Sequence, residues 1–203
     1  MKIKICGLMR PSDIEAVNCC RPDYVGFVFA PTRRFVSDEQ AMILKGLLDP
    51  SIPAVGVFVN EPIDHVVSLC ERGIIDLIQL HGDETEEYIA HLRARVSNPI
   101  IRALRVQSTE QIAEADAKGF DYLLLDAYNK KMYGGTGERF QWSLIPPLNT
   151  PYFLAGGLDE TNLNEAASST GAMCLDLSSS AETNSVKDPE KIRRLVSIVR
   201  SIT

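Results

Sequence analysis

Short apolar runs alternate with helix-patterned segments about eight times along this chain, at a spacing of roughly 20 to 30 residues. Strand-like runs fall at 2–6, 24–29, 54–59, 75–80, 100–104, 122–125, 151–155 and 172–177. Helical patterns fall between them at 11–17, 38–48, 63–72, 85–95 and 160–167, and a closing amphipathic stretch covers 189–202. Ser37-Asp38-Glu39-Gln40 and Ser108-Thr109-Glu110-Gln111 match capping boxes, and the helix after the second is expected to stop near Gly119. Such alternation builds βαβ units and hence a parallel sheet. Eight units ending on strand and helix predict an α/β fold of the closed (β/α)8 barrel type, with an open doubly wound sheet as the alternative. The sixth unit is the weak one, because Trp142 to Leu148 leaves room only for a short helix before Pro146-Pro147. With 203 residues the chain suits one domain over 1–203 and is short for two.

In a barrel the functional groups lie at the C-terminal ends of the strands. That edge collects Cys6, Arg34, Asn60, His81, Arg105, Asp126, Gly156-Gly157, and Asp176 with Ser178-Ser179. Each has an ordinary reading too. Cys6 suits a small buried hydrophobe, Asp126 a helix cap or the partner of a barrel lysine, His81 a hydrogen-bonded turn, and Arg34 a solvated surface. As chemistry, a Cys6 thiolate could take a proton from carbon if its surroundings favour the anion. An arginine at the mouth could grip a carboxylate through two hydrogen bonds. The remaining cysteines (19, 20, 70 and 174) read as structural.

The run Tyr122 to Leu125 ends in Asp126 and opens a long polar loop containing Gly134, Gly135, Thr136 and Gly137. Glycines let backbone N–H groups approach an anion without a Cβ in the way. Gly156-Gly157 and Asp176-Leu177-Ser178-Ser179-Ser180 follow the seventh and eighth strands, where barrels often bind phosphate. Ser178 to Thr183 could supply the short extra helix used there. A phosphate site in this region is therefore expected.

A net charge of −6 argues against nucleic acid and anionic membrane as partners, and no apolar run approaches the length of a bilayer span. The first residues lack a signal-peptide pattern, and five cysteines without a C-x-x-C pair suggest neither zinc nor a disulfide framework. A reduced cytoplasmic setting fits these features.

The chain resembles the phosphoribosylanthranilate isomerase family. The resemblance rests on Lys4-Ile5-Cys6-Gly7-Leu8, Gly26-Phe27-Val28-Phe29, Arg34-Phe35-Val36-Ser37, Gln79-Leu80-His81-Gly82-Asp83-Glu84, Leu125-Asp126, Gly134-Gly135-Thr136-Gly137, Leu154-Ala155-Gly156-Gly157-Leu158 and Asp176-Leu177-Ser178-Ser179. It covers essentially the whole chain. It implies a cofactor-free and metal-free Amadori rearrangement in tryptophan biosynthesis, with a small phosphoribosylated molecule as substrate. By this likeness Asp126 is the general acid and Cys6 the general base. Arg34 holds the anthranilate carboxylate, His81 and Asp176 line the substrate, and Gly135, Thr136, Gly137, Gly156, Gly157, Ser178 and Ser179 cradle the phosphate. A histidine- and tryptophan-pathway bifunctional isomerase and a silent phosphosugar-binding barrel are the alternatives, and a monomer is expected rather than a homodimer. Two departures stand out. Ser180 replaces the family's glycine, which would strain the chain if φ there is positive. Ala30-Pro31-Thr32-Arg33 replaces the usual spelling before Arg34, so that Arg33 competes for the carboxylate role.

Overall fold

A computed structural model describes residues 1–127 and 141–202. Eight parallel strands close on themselves: β1 (Lys2–Cys6), β2 (Tyr24–Val28), β3 (Ala54–Phe58), β4 (Leu77–Leu80), β5 (Ile100–Val106), β6 (Tyr122–Ala127), β7 (Tyr152–Leu154) and β8 (Cys174–Leu177). Closure lies in the pairing of β1 with β8, where Lys4 sits beside Asp176, and it rules out the open sheet. The helices are α1 (Pro11–Cys20), α2 (Asp38–Leu47), α3 (Ile63–Glu71), α4 (Glu86–Arg93), α5 (Thr109–Asp116), α6 (Leu163–Thr170) and α7 (Pro189–Ser201).

Local chemistry explains most boundaries. Ser37, Thr85 and Ser108 each accept a hydrogen bond from the backbone N–H three residues on, so α2, α4 and α5 start where the side-chain oxygens satisfy an orphan donor. Helix α1 runs to Cys20, beyond the expected Val17, and ends at Arg21 with φ 50. The sixth unit holds one 3-10 turn, Trp142–Leu144, and no α-helix among the described residues. Pro146 and Pro147 cannot donate the bonds that would extend it. Similarly, the extra helix expected over Ser178–Thr183 is a single 3-10 turn, Ser179–Ala181. It leads into a two-stranded hairpin, β9 (Glu182–Thr183) and β10 (Val186–Lys187). Asn184 and Ser185 both have positive φ, as a two-residue hairpin turn requires.

Period-two alternation sorts the strand residues. Ile3, Ile5, Val25, Phe27, Ile78, Leu80, Leu123, Leu125, Leu175 and Leu177 join the large core shared with the helices. Their neighbours turn inward, where Tyr24, Val55, Leu77, Ile101, Leu124, Phe153 and Cys174 form a separate apolar layer. Further along the same strands, the inward positions become Lys4, Gln79 and Asp176. Beyond those come Cys6, Val28 and Val57, with Ala30, at the mouth. Each two residues of travel along a strand move a side chain up one layer, from apolar floor to polar layer and then to the edge of the cavity.

Outside the barrel, His65 joins α3 to α2. Its Nε2 lies 2.7 Å from Asp38 Oδ1 and its Nδ1 2.7 Å from Glu61 Oε1, while Arg72 donates to Asp38 Oδ2 at 2.9 Å. Burial pulls the imidazolium down, but hydrogen bonds to Asp38 and Glu61 outweigh it and raise the His65 pKa above the ordinary 6.5. A raised folded-state value stabilises the fold fully below the ordinary value, and the contribution disappears as pH rises through the folded one. His65→Gln should therefore cost stability in urea unfolding mainly at acidic pH. An equal loss in acidic and alkaline buffer would refute the linkage.

Candidate active site

The barrel mouth opens into a cavity of about 450 Å3, lined by Cys6, Arg33, Arg34, Gln79, His81, Asp126, Gly156, Gly157, Asp176, Ser178 and Ser179 among others. These come from β1, β4, β6, β8 and the segments that follow β2, β4, β7 and β8. Every expected site residue within the described part of the chain is brought together here. Gly135, Thr136 and Gly137, with Gly134, lie outside the described residues.

The floor of the cavity is organised by Lys4, whose side chain is 0% exposed. Its Nζ donates to Asp176 Oδ2 at 2.8 Å and to Gln79 Oε1 at 2.7 Å. Burial pulls this ammonium down, but the Asp176 carboxylate and Cys6 more than offset it, and its pKa is pushed up to about 12. Asp176 Oδ1 is buried with no hydrogen-bond partner, so the cavity presents one unused acceptor. Of the two ordinary readings of Asp126, the partnership with a barrel lysine does not hold, since Lys4 pairs with Asp176; a helix that Asp126 would cap falls outside the described residues. Asp126 Oδ1 accepts from its neighbour Ala127 N at 2.8 Å, and Oδ2 lies 3.3 Å from His81 Nε2 without the alignment of a hydrogen bond.

Cys6 sits opposite Gly26 in the β1–β2 register. A Cβ on Gly26 would stand 2.7 Å from Cys6 Sγ, so the thiol occupies space that only glycine leaves. Burial raises the Cys6 pKa, and Lys4, Lys187 and Arg34 pull it back without cancelling the rise.

Arg34 is anchored by Glu182. Arg34 Nε donates to Glu182 Oε1 at 2.7 Å and Nη2 to Oε2 at 3.3 Å, while Arg33 Nη2 donates to Oε2 at 2.7 Å. Lys187 Nζ donates to Glu182 Oε1 at 2.8 Å and to the Ser178 carbonyl at 2.8 Å. Burial raises the Glu182 pKa, but hydrogen bonds from Arg34 and Lys187 prevail and hold it at about 2. Arg34 is 11% exposed and its Cδ passes over Gly7, whereas Arg33 is 45% exposed and also reaches the Ser185 carbonyl. Both arginines line the cavity, and Arg34 is the more deeply buried of the two.

Gly156 and Gly157 have φ 84 and 64, a left-handed backbone that glycine adopts without strain. A Cβ at Gly156 would come within 2.6 Å of Ala127 N and 2.8 Å of Asp126 Oδ1. Ser178 Oγ donates to the Cys6 carbonyl at 3.1 Å, tying this loop to β1. The strain considered at Ser180 is absent, since it has no positive φ; its Oγ is buried without a partner. Asn60 and Arg105, also at strand ends, serve loops. Asn60 Oδ1 accepts from Asp83 N at 2.8 Å, and Arg105 pairs with Asp83. Among the described residues, no three His, Cys, Asp or Glu side chains gather as a metal ion would need.

Lys4, Gln79, Glu182 and Lys187 escaped the sequence reading. For two of them a signal was present: Lys4 stands two residues before Cys6 and Gln79 two before His81, hence on the same inward face. Glu182 and Lys187 reach the site through a hairpin that leaves no periodic trace.

A family model described as N-(5'phosphoribosyl)anthranilate (PRA) isomerase matches residues 3–198. The chain is 47% identical to the N-(5'-phosphoribosyl)anthranilate isomerase of Endomicrobium trichonymphae, covering 99% of each chain. It is 43% identical to that of Lachnoclostridium phytofermentans, covering 97% of this chain and 96% of the other. Among solved structures it is similar to phosphoribosyl anthranilate isomerase from Thermus thermophilus (TM-score 0.88, 31% identity, 100% of both chains). It is similar also to a phosphoribosyl anthranilate isomerase in complex with reduced 1-(o-carboxyphenylamino)-1-deoxyribulose 5-phosphate (TM-score 0.82, 27% identity, 98% of both).

The buried thiol yields a direct check. Alkylation of Cys6 by iodoacetamide, followed by peptide mass spectrometry, should accelerate only as pH passes above the ordinary thiol value of 9.0. A rate that has already levelled off below that pH would contradict the geometry. Exposed Cys19 serves as the internal comparison.

Proposed function

The chain belongs to the N-(5'-phosphoribosyl)anthranilate isomerase family and is an isomerase of tryptophan biosynthesis, and from that premise we propose how its own residues carry the reaction. The substrate is a small phosphoribosylated molecule: a furanose bearing a phosphate at one end and an aminobenzoate at the other. Its rearrangement to 1-(2-carboxyphenylamino)-1-deoxyribulose 5-phosphate opens the sugar ring, moves a proton off C2' and leaves a ketone there. One group must protonate the ring oxygen and another must take the C2' proton.

Asp126 is the acid in this reading. Its proton goes to the ring oxygen, the C1'–O bond breaks, and the nitrogen lone pair forms the C1'=N iminium. Cys6 is the base. As thiolate it takes the C2' proton, the C–H electrons become the C1'=C2' bond of an enolamine, and the iminium electrons return to nitrogen. The enolamine then tautomerises to the ketone, and the product is an isomer of the substrate with no net proton or electron exchanged. β6 and β1 are separated by β7 and β8 on one side of the barrel, which supports acid and base addressing different atoms of one bound sugar. Lys4, Lys187 and Arg34 are the cations that favour the thiolate against burial. The iminium acidifies C2'–H, so a thiolate of ordinary basicity suffices.

Arg34 takes the carboxylate of the aminobenzoate, whose ring would lie against Val28, Val57 and Ala30. The amides of Gly156 and Gly157, with the Ser178–Ser179 segment, take the phosphate, and Gly135, Thr136 and Gly137 are assigned to the same cradle. Asp176, through its unpartnered Oδ1, accepts from a sugar hydroxyl, and His81 lines the same sugar beside Asp126. No cofactor is required by these steps. We further propose a single functional domain over 1–203 acting in the cytoplasm as a monomer. One chain supplies every described site residue, and no described helix is long and apolar enough to cross a membrane.

The observation that carries this reading is the convergence of Cys6, Asp126 and Arg34 on one cavity beside the Gly156–Gly157 turn. Loss of anthranilate-type fluorescence on adding freshly made phosphoribosylanthranilate is the test. Asp126→Asn and Cys6→Ser should each lower kcat by about a thousandfold with the fold retained. Arg34→Ala should raise KM by about tenfold or more and leave kcat less affected. Near-normal turnover in either of the first two variants removes that residue's role, and an Arg33→Ala variant that alone weakens binding transfers the carboxylate to Arg33.

A further inference from the structure

We infer that Gln79 is a positioning residue for the acid: it locks the His81 ring in the tautomer that carries its proton on Nε2, the nitrogen turned toward Asp126. The argument begins at Lys4. An ammonium has only protons to offer, so the Gln79 atom 2.7 Å from Lys4 Nζ is the amide oxygen. That choice leaves the Gln79 NH2 group 2.8 Å from His81 Nδ1. An N–H facing a ring nitrogen at this distance needs a lone pair there, so Nδ1 accepts and the ring proton resides on Nε2. Gln79 is 2% exposed and Lys4 is 0% exposed, so water does not offer either a ready alternative partner.

His81 Nε2 is buried, makes no hydrogen bond, and lies 3.3 Å from Asp126 Oδ2. A small change in ring or carboxylate orientation would complete that bond. The ionisable groups on the elements packed around His81 are Asp126 of β6, and Asp83 and Glu84 of its own loop, which pair with Arg105 and Arg102 of β5. Across the cavity stand Cys6, Arg33, Arg34 and Asp176. Asp126 is the one that Nε2 approaches. The locked tautomer offers Asp126 a neutral donor for the carboxylate left after it gives up its proton, whereas the opposite tautomer would present a lone pair. Through Gln79 the Lys4–Asp176 pair, which Cys6 adjoins, sets the hydrogen bonding of the acid on the far side of the barrel. The consequence for catalysis rests on the assignment of Asp126 as the acid. The tautomer itself does not.

The test is 15N–1H correlation spectroscopy of the histidine rings, of which the chain has three. His65→Gln and His91→Gln variants assign the signals. Near neutral pH, wild-type His81 should show the neutral pattern with the proton on Nε2. Gln79→Glu keeps the side-chain length and the acceptor for Lys4 but faces Nδ1 with an oxygen, so the His81 ring should carry a proton on Nδ1, a spectroscopic change that mere packing would not produce. The lock that reserves the ring proton for the nitrogen facing Asp126 is then lost, and kcat should fall about tenfold. A wild-type ring protonated on Nδ1, or identical His81 signals in wild type and Gln79→Glu, overturns the inference. If Gln79→Glu does not fold, the wild-type spectrum alone decides the tautomer. Turnover surviving in Asp126→Asn would overturn the acid assignment while leaving the tautomer result intact.

Discussion

A fully buried ammonium is the constraint on which this site depends. Lys4 cannot reach water, and a charge in that position is tolerated only with acceptors at hydrogen-bond distance. Asp176 and Gln79 supply them, and each is held in place by doing so. Because lysine donates and never accepts, the polarity of the whole layer follows. Gln79 must turn its oxygen inward, its NH2 group must turn to His81, and Asp176 must turn one oxygen to Lys4 while leaving the other in the cavity.

The placement of this layer is a matter of barrel geometry. Below it the inward side chains are apolar and close-packed; above it they are Cys6, Val28 and Val57. The polar layer thus sits where apolar filling stops and substrate space begins. A second constraint acts from outside the barrel, where Glu182 collects Arg33, Arg34 and Lys187 around one carboxylate. This cluster fixes Arg34 at the rim and, through the Lys187 bond to the Ser178 carbonyl, connects the rim to the loop after β8. The two networks meet at Cys6, whose thiol feels Lys4, Lys187 and Arg34 together.

Much of this was legible in the chain. The alternation of strand and helix identified the barrel because each element must bury one face, and the capping residues Ser37 and Ser108 marked helix starts through purely local bonds. Cys6, His81 and Asp126 were found because strand ends in a barrel are functional by geometry. Their partners were harder. That the barrel lysine belongs to Asp176 and not to Asp126 depends on the β1–β8 register, which no local signal records. The extra helix expected after β8 is a single turn because the chain goes straight into a hairpin at Asn184-Ser185, two residues whose tolerance for positive φ was not read as a turn.

Sequence alone therefore determined what depends on neighbours along the chain: the order of the eight barrel strands, the capped starts of helices, and the chemical types gathered at the strand ends. Tertiary structure alone decided which of those groups touch. Lys4 and Asp176 are separated by 172 residues and Lys4 and Gln79 by 75, and their contact follows from barrel closure. Hydrogen-bond direction then passes across the closed sheet from one residue to the next. Periodicity reports the face a side chain occupies, but only the register of distant strands brings a donor opposite its acceptor.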